Sequence, residues 1–119
     1  MEKKLYDLLE VAEQQVKVNP EADQVIAVKT AKGNVYHFAN HGVLTGNTAG
    51  ESRFAQMLEE QGDTEILCLV ALWNNGCVDV PSMHFRCSLL ELDPRNGETV
   101  MLLRSENGYT VRTVGSAMP

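Results

Sequence analysis

The sequence predicts an α/β protein in which helices flank a mixed β-sheet. Residues 3–18 carry apolar side chains at the three- and four-residue spacing of an amphipathic helix. Residues 66–73 form a nearly continuous apolar run, which is typical of a central strand covered on both faces. Asn107-Gly108 lies between two strand-like segments and predicts a hairpin. The implied order is helix, strand, strand, helix, strand, helix, strand, strand, and this order favours a sheet with helices on both sides.

The first part of the chain is predicted to form one helix and one hairpin. The helix has one apolar face, made by Leu5, Leu8, Leu9, Ala12 and Val16. It should end at Asn19-Pro20, because the residue before proline is pushed out of helical space. The hairpin arms are Val25–Thr30 and Val35–Phe38, joined by a turn at 32–34. A glycine-rich loop over 41–47 follows them.

The second part of the chain is predicted to contain two helices and three strands. One helix runs from Thr48 to about Gln61, with Gly62 at its C-terminus, and the strand Ile66–Trp73 follows. The other helix runs from Ser82 or Met83 to Leu92. The last two strands are Thr99–Leu103 and Tyr109–Val114, and we expect them to be antiparallel neighbours. Together the elements make a five-stranded sheet in a single domain, 1–119.

Charge and composition argue against several classes of partner. The 119 residues carry a net charge of −6, so the basic surface that a nucleic acid or an anionic membrane requires is not expected. The apolar run 66–73 is too short to span a bilayer. The three cysteines make no disulfide framework, and we therefore expect a reducing, cytoplasmic location.

Several short motifs between residues 28 and 119 carry a resemblance to a known family. They are Val28-Lys29-Thr30, Gly33-Asn34-Val35-Tyr36, Asn40, Ala49-Gly50-Glu51 and Pro81-Ser82-Met83-His84-Phe85-Arg86. The first two segments resemble the first hairpin of the cytidine deaminases, and Asn40 resembles the ribose-contacting asparagine that follows it. The last two segments resemble the family's Cys/His-Ala-Glu and Pro-Cys-x-x-Cys-Arg motifs. The closing hairpin without an intervening helix is similar to the branch that acts on free nucleosides. The resemblance implies the three-layer cytidine deaminase-like fold.

The zinc ligands of the family are not present at the matching positions of this sequence. The family's three ligand positions correspond to Ala49, Ser82 and Phe85. Alanine and phenylalanine offer no donor atom, and a neutral hydroxyl is a poor zinc ligand beside thiolate or imidazole. We therefore expect a zinc-less relative that needs no cofactor and has lost deaminase catalysis.

Glu51 matches the glutamate that shuttles protons in the family, but a structural role also explains it. Thr48-Ala49-Gly50-Glu51 has the T-x-x-E pattern of a capping box at the start of a helix. Because zinc is not expected, the capping role is the favoured interpretation.

The candidate ligand-binding residues are Asn40, Ser82 and Arg86. Asn40 matches the ribose-contacting asparagine, although the glutamate expected two positions later is Gly42 here. The ligand implied by the resemblance is a nucleoside-like small molecule.

Three alternatives remain open. His41, His84 and Cys87 could form a different metal site, since the last two share a helix face. The chain could be an enzyme with a rewired site in which Glu51 is the general acid/base and His41 or His84 its partner. It could also serve as an assembly subunit, a homo-oligomer of two or four copies, with apolar surface at Trp73, Met83 and Phe85.

Overall fold

The computed structural model describes residues 2–119, which form three helices and six strands. In chain order these are α1 (Glu2–Val18), β1 (Gln24–Thr30), β2 (Val35–Asn40), α2 (Ala49–Glu60), β3 (Ile66–Trp73), β4 (Val78–Asp79), α3 (Met83–Leu92), β5 (Val100–Ser105) and β6 (Gly108–Thr113). Short 3₁₀ turns lie at Val43–Thr45, Pro94–Glu98 and Gly115–Ala117. None of these helices combines the length and the apolar character that crossing a membrane requires.

The strands form one mixed sheet in the order β2-β1-β3-β5-β6. β1 is antiparallel to both β2 and β3, while β3 and β5 are parallel. β5 and β6 are antiparallel, so the predicted final hairpin is confirmed. Its turn lies one residue earlier than predicted, at 106–107, and Gly108 takes the positive φ of 121° as the first residue of β6.

The predicted strand number of five is one too low. The extra strand, β4, has only two residues and pairs antiparallel with the C-terminal half of β3. The turn between β3 and β4 is closed by Trp73 N–H donating to Cys77 O at 2.9 Å. A two-residue strand has no hydrophobic periodicity, and this is why the sequence pattern predicted a loop there.

Two apolar clusters cover the two faces of the sheet. α1 packs against one face over Val25, Ala27, Cys68 and Val70. α2 and α3 pack against the other face over Ile26, Val28, Leu69 and Ala71. Both faces of β1 and β3 are therefore buried, which accounts for the lack of polar alternation in their sequences.

Asn96 ties the start of β3 to the end of α3. Its side chain is fully buried, accepts a hydrogen bond from Ile66 N–H at 2.8 Å, and donates to Thr64 O and Leu89 O at 2.9 Å each. This end of the sheet lies opposite the end where α2 and α3 begin. The N-termini of these two helices, together with the end of β2, surround the candidate site.

Candidate functional site

Three candidate residues from separate elements meet in one hydrogen-bonded cluster. Asn40 is the last residue of β2, Glu51 lies in the first turn of α2, and Ser82 precedes α3. Asn40 Nδ2 donates to Glu51 Oε2 at 3.0 Å, and Ser82 Oγ lies 2.8 Å from both carboxylate oxygens. Glu51 is 1% exposed, so this carboxylate depends on these partners in place of water.

Ser82 has two roles in the cluster. Its hydroxyl oxygen accepts a hydrogen bond from Phe85 N–H at 3.1 Å and thereby caps α3, while its proton is donated to Glu51. A hydroxyl can do both, because it is one donor and two acceptor sites. Ser82, which stands at a zinc-ligand position of the cytidine deaminase motif, thus connects α2 to α3 by hydrogen bonds.

The capping box predicted at the start of α2 is wrong. The side chain of Thr48 makes no capping hydrogen bond, and Glu51 turns inward toward Asn40 and Ser82. Asn47 Oδ1 accepts the hydrogen bond of the first helical amide, Ala49 N–H, at 3.1 Å. The T-x-x-E pattern is local, whereas the partners that hold Glu51 come from β2 and α3.

Asn40 has one hydrogen-bonding atom left over. Its side chain is 1% exposed, and among residues 2–119 its Oδ1 has no hydrogen-bond partner. The amide NH₂ faces Glu51, to which it donates a hydrogen bond, and the oxygen therefore faces away from the carboxylate. On that side lies Gly50, where a β-carbon would be 3.5 Å from Asn40 Oδ1.

The residues present do not fit zinc. Ala49 and Phe85 have no donor atom, and the neutral hydroxyl of Ser82, which already bonds Glu51 and Phe85 N–H, is a poor zinc ligand. Phe85 is fully buried, with its ring centroid 5.9 Å from that of Phe38 and 6.1 Å from that of Phe54. The position of the third ligand is thus part of an aromatic core.

The three residues of the alternative metal site are not brought together. Within the described chain, no group of three or more histidine, cysteine or acidic residues is arranged to hold a metal ion. His84 Nε2 lies 3.0 Å from Ser52 Oγ, in a groove of about 470 Å³ between α2 and α3. His41 is exposed in the loop after β2, and Cys87 is partly buried in α3.

Arg86 is occupied by contacts within the fold. Its Nε donates to Pro81 O at 3.0 Å, and its Nη1 donates to Ala117 O at 2.5 Å. These bonds attach the C-terminal turn to the segment that carries Ser82. A ligand contact by Arg86 stays a prediction.

Two residues to which the sequence assigned no role lie beside the same site. Phe38 and Arg53 both face the position of a β-carbon on Gly50, at 3.8 Å and 4.0 Å. The sequence carried one signal for this, since Gly50 stands where the Cys/His-Ala-Glu motif has alanine.

Comparison with known proteins finds similarity at the level of structure. No protein-family model matches the sequence, and no curated protein matches it. The fold is similar to solved cytidine deaminases from Mycobacterium leprae (17% identity, TM-score 0.66, covering 95% of each chain) and Mycobacterium tuberculosis (20%, 0.67, covering 96% of this chain and 93% of that one). It is also similar to the enzyme from Burkholderia pseudomallei (16%, 0.67, covering 96% and 95%). The chain has the fold of the cytidine deaminases, as its motifs predict.

Proposed function

We propose that this protein is a zinc-less, non-deaminating relative of the cytidine deaminases that binds a nucleoside-like small molecule at Asn40, Glu51 and Ser82. Deamination in this fold needs a hydroxide made by zinc at neutral pH, because free water is too weak an acid. Ala49, Ser82 and Phe85 cannot bind that metal. We therefore assign to the site a role in ligand binding without catalysis.

The observation that carries the proposal is the unpaired oxygen of Asn40. A buried acceptor without a donor destabilises a fold by about 1–3 kcal/mol. A ligand hydroxyl or amine that donates to Asn40 Oδ1 removes this penalty. The amide that presents the oxygen is held by its bond to Glu51, so the acceptor is already oriented before a ligand arrives.

Calorimetric titration with cytidine and uridine tests the binding proposal. We expect binding to the wild type and at least a tenfold loss in Asn40→Ala. Asn34→Ala is the matched control, because Asn34 lies on the same hairpin but donates to Asp63 at 2.7 Å. Equal affinities for both variants, or no binding of any nucleoside to a folded wild type at millimolar concentration, would overturn the proposal.

Loss of deamination is tested separately. We expect less than 0.1 zinc per chain after purification without added metal, and no ultraviolet change from cytidine to uridine above background. A zinc content near one per chain, with turnover that disappears in Glu51→Gln, would show that the site is catalytic after all.

The positions of the histidines do not support the alternative of an enzyme in which Glu51 is the general acid/base and His41 or His84 its partner. Neither His41 nor His84 is a hydrogen-bond partner of Glu51, whose partners are Asn40 and Ser82. A carboxylate without an acid or base partner lacks half of the proposed proton transfer.

Assembly into a homo-oligomer is a second candidate role, which the edge strand β6 favours. Tyr109 and Val111 on β6 are 39% and 50% exposed, and Tyr6 of α1 packs edge-on against Tyr109 with ring centroids 5.8 Å apart. The surface expected at Phe85 is not available, since Phe85 is fully buried. The β6 edge is therefore our proposed contact for a dimer or tetramer. We keep the cytoplasm as the proposed location, consistent with three free cysteines.

A further inference from the structure

The missing side chain of Gly50 leaves a niche beside the site that is about the size of one methyl group. A β-carbon at this position would lie 3.5 Å from Asn40 Oδ1, 3.8 Å from Phe38 Cε2 and 4.0 Å from Arg53 Nη2. These are ordinary contact distances, so the absent side chain leaves a space bounded by an acceptor, an aromatic ring and a cation. The backbone of Gly50 has no positive φ, so its conformation does not require glycine.

The ring and the cation bordering the niche differ in how firmly they are held. Phe38 is half-buried and stacks on Phe54, with ring centroids 4.5 Å apart and planes inclined by 28°. Arg53 is exposed and, among residues 2–119, makes no hydrogen bond or ion pair. The guanidinium can therefore bind an anion without giving up an existing partner.

The start of α2 adds to the positive potential of Arg53. The first amides of a helix lack intrahelical acceptors, and the helix dipole favours an anion at this end. Gly50 is the second residue of this 12-residue helix, and Arg53 lies one turn further on. A positive site of this kind stands out on a chain with a net charge of −6.

We infer that the ligand of this site is an anionic ring compound of the nucleotide class, preferred over a neutral nucleoside. Its hydrogen-bond donor pairs with Asn40 Oδ1, its ring lies against Phe38, and its anionic group binds Arg53 at the start of α2. This inference rests on the proposed function, since it concerns the same site, and it adds the charge of the ligand.

Titration with cytidine 5′-monophosphate, cytidine and inorganic phosphate tests the inference at low ionic strength. For the wild type we expect the monophosphate to bind at least tenfold more tightly than cytidine or phosphate. Arg53→Gln should remove that preference, because it weakens binding of the monophosphate far more than binding of cytidine. Arg104→Gln, an exposed arginine on β5, is the matched control and should change neither affinity.

Gly50→Ala probes the niche itself without threatening the fold. Alanine is the better helix former, and its methyl group makes only ordinary contacts there, so the melting temperature should rise. Binding of both cytidine compounds should nevertheless fall at least tenfold, because the methyl group occupies the niche. Gly97→Ala, whose β-carbon would lie 3.7 Å from Leu90 Cδ2, is the control for the substitution type.

The outcomes separate the two proposals. Equal affinities for cytidine and its monophosphate, or a silent Arg53→Gln, overturn the nucleotide preference and leave the proposed nucleoside binding intact. Phosphate binding as tightly as the monophosphate overturns it as well, because the ring then contributes nothing. Unchanged binding in Gly50→Ala shows that the niche is not the site. If none of the three compounds binds, both proposals fail.

Discussion

Glu51 shows how a single carboxylate can hold three elements together. It is buried, and its donors come from the end of β2 and the start of α3. Hydrogen bonds to a charged acceptor contribute about 1.5–3 kcal/mol each, roughly twice the neutral kind. The motif Ala49-Gly50-Glu51 predicts that this residue matters, but not which residues hold it. Its partners are 11 and 31 positions away in sequence, beyond the reach of any local pattern.

Ser82→Ala should destabilise the protein more than Thr48→Ala. The serine change removes the cap of α3 and a donor to Glu51, and we expect a loss of about 3 kcal/mol. The threonine change removes no capping bond, and we expect a loss of no more than about 0.5 kcal/mol. Urea unfolding followed by circular dichroism measures both. The opposite ranking would restore the capping box that the sequence predicted.

The carboxylate that caps the turn Pro94–Glu98 is expected to make the stability of the whole protein depend on pH. Asp93 precedes this turn and accepts hydrogen bonds from Arg95 Nε at 3.1 Å, Arg95 Nη2 at 2.7 Å and Arg95 N–H at 3.0 Å. The side-chain hydrogen bonds of Arg95, followed by its backbone bond, lower the pKa of Asp93 from 3.8 to about 2.

The lowered pKa of Asp93 predicts acid destabilisation over a defined range. Because the pKa of Asp93 is lower in the folded than in the unfolded protein, its ionised form stabilises the fold at pH values above the unfolded-state pKa. This contribution to the unfolding free energy is lost as the pH falls from about 4 to about 2. Asp93→Asn should reduce the fall in unfolding free energy between pH 4.5 and pH 2, measured by urea titration at each pH. Asp7→Asn is the control, because Asp7 is exposed in α1. Identical pH profiles for wild type and Asp93→Asn would contradict the assignment.

Hydrophobic periodicity predicted the bounds of helices and strands better than capping motifs predicted the contacts at helix ends. The apolar spacing of α1 and the continuous run of β3 gave bounds within one residue of those observed, because each signal repeats along the element. β4 escaped prediction because two residues carry no repeat. Asn96 escaped as well, since nothing in its neighbourhood predicts that it will pair with the backbones of β3 and α3.

Over residues 2–119, the whole sheet has two edges of different character. β2 is covered in part by α2, whereas β6 is exposed along its length and carries Tyr109 and Val111. An exposed edge with apolar side chains is a surface on which another chain can pair. A twofold contact would place the same edge of two copies together.

Self-association through β6 should be visible by light scattering at micromolar concentration in moderate salt. We expect at least a dimer for the wild type and a shift toward monomer in Val111→Lys, which adds a charge to the edge. Val35→Lys makes the same change on the opposite edge strand and is the control, because Val35 is 44% exposed on β2. A monomeric wild type would remove the assembly role and leave the binding role alone.

The small strand β4 also gives this protein a built-in optical reporter. Trp73 is the single tryptophan, and its indole N–H donates to Asp79 of β4 at 3.2 Å. Two residues beyond Asp79 the chain reaches Pro81 and then Ser82 of the cluster. Any movement of this segment on ligand binding should therefore alter the environment of the indole ring. Intrinsic fluorescence excited at the indole band can follow the occupancy of the site without a label.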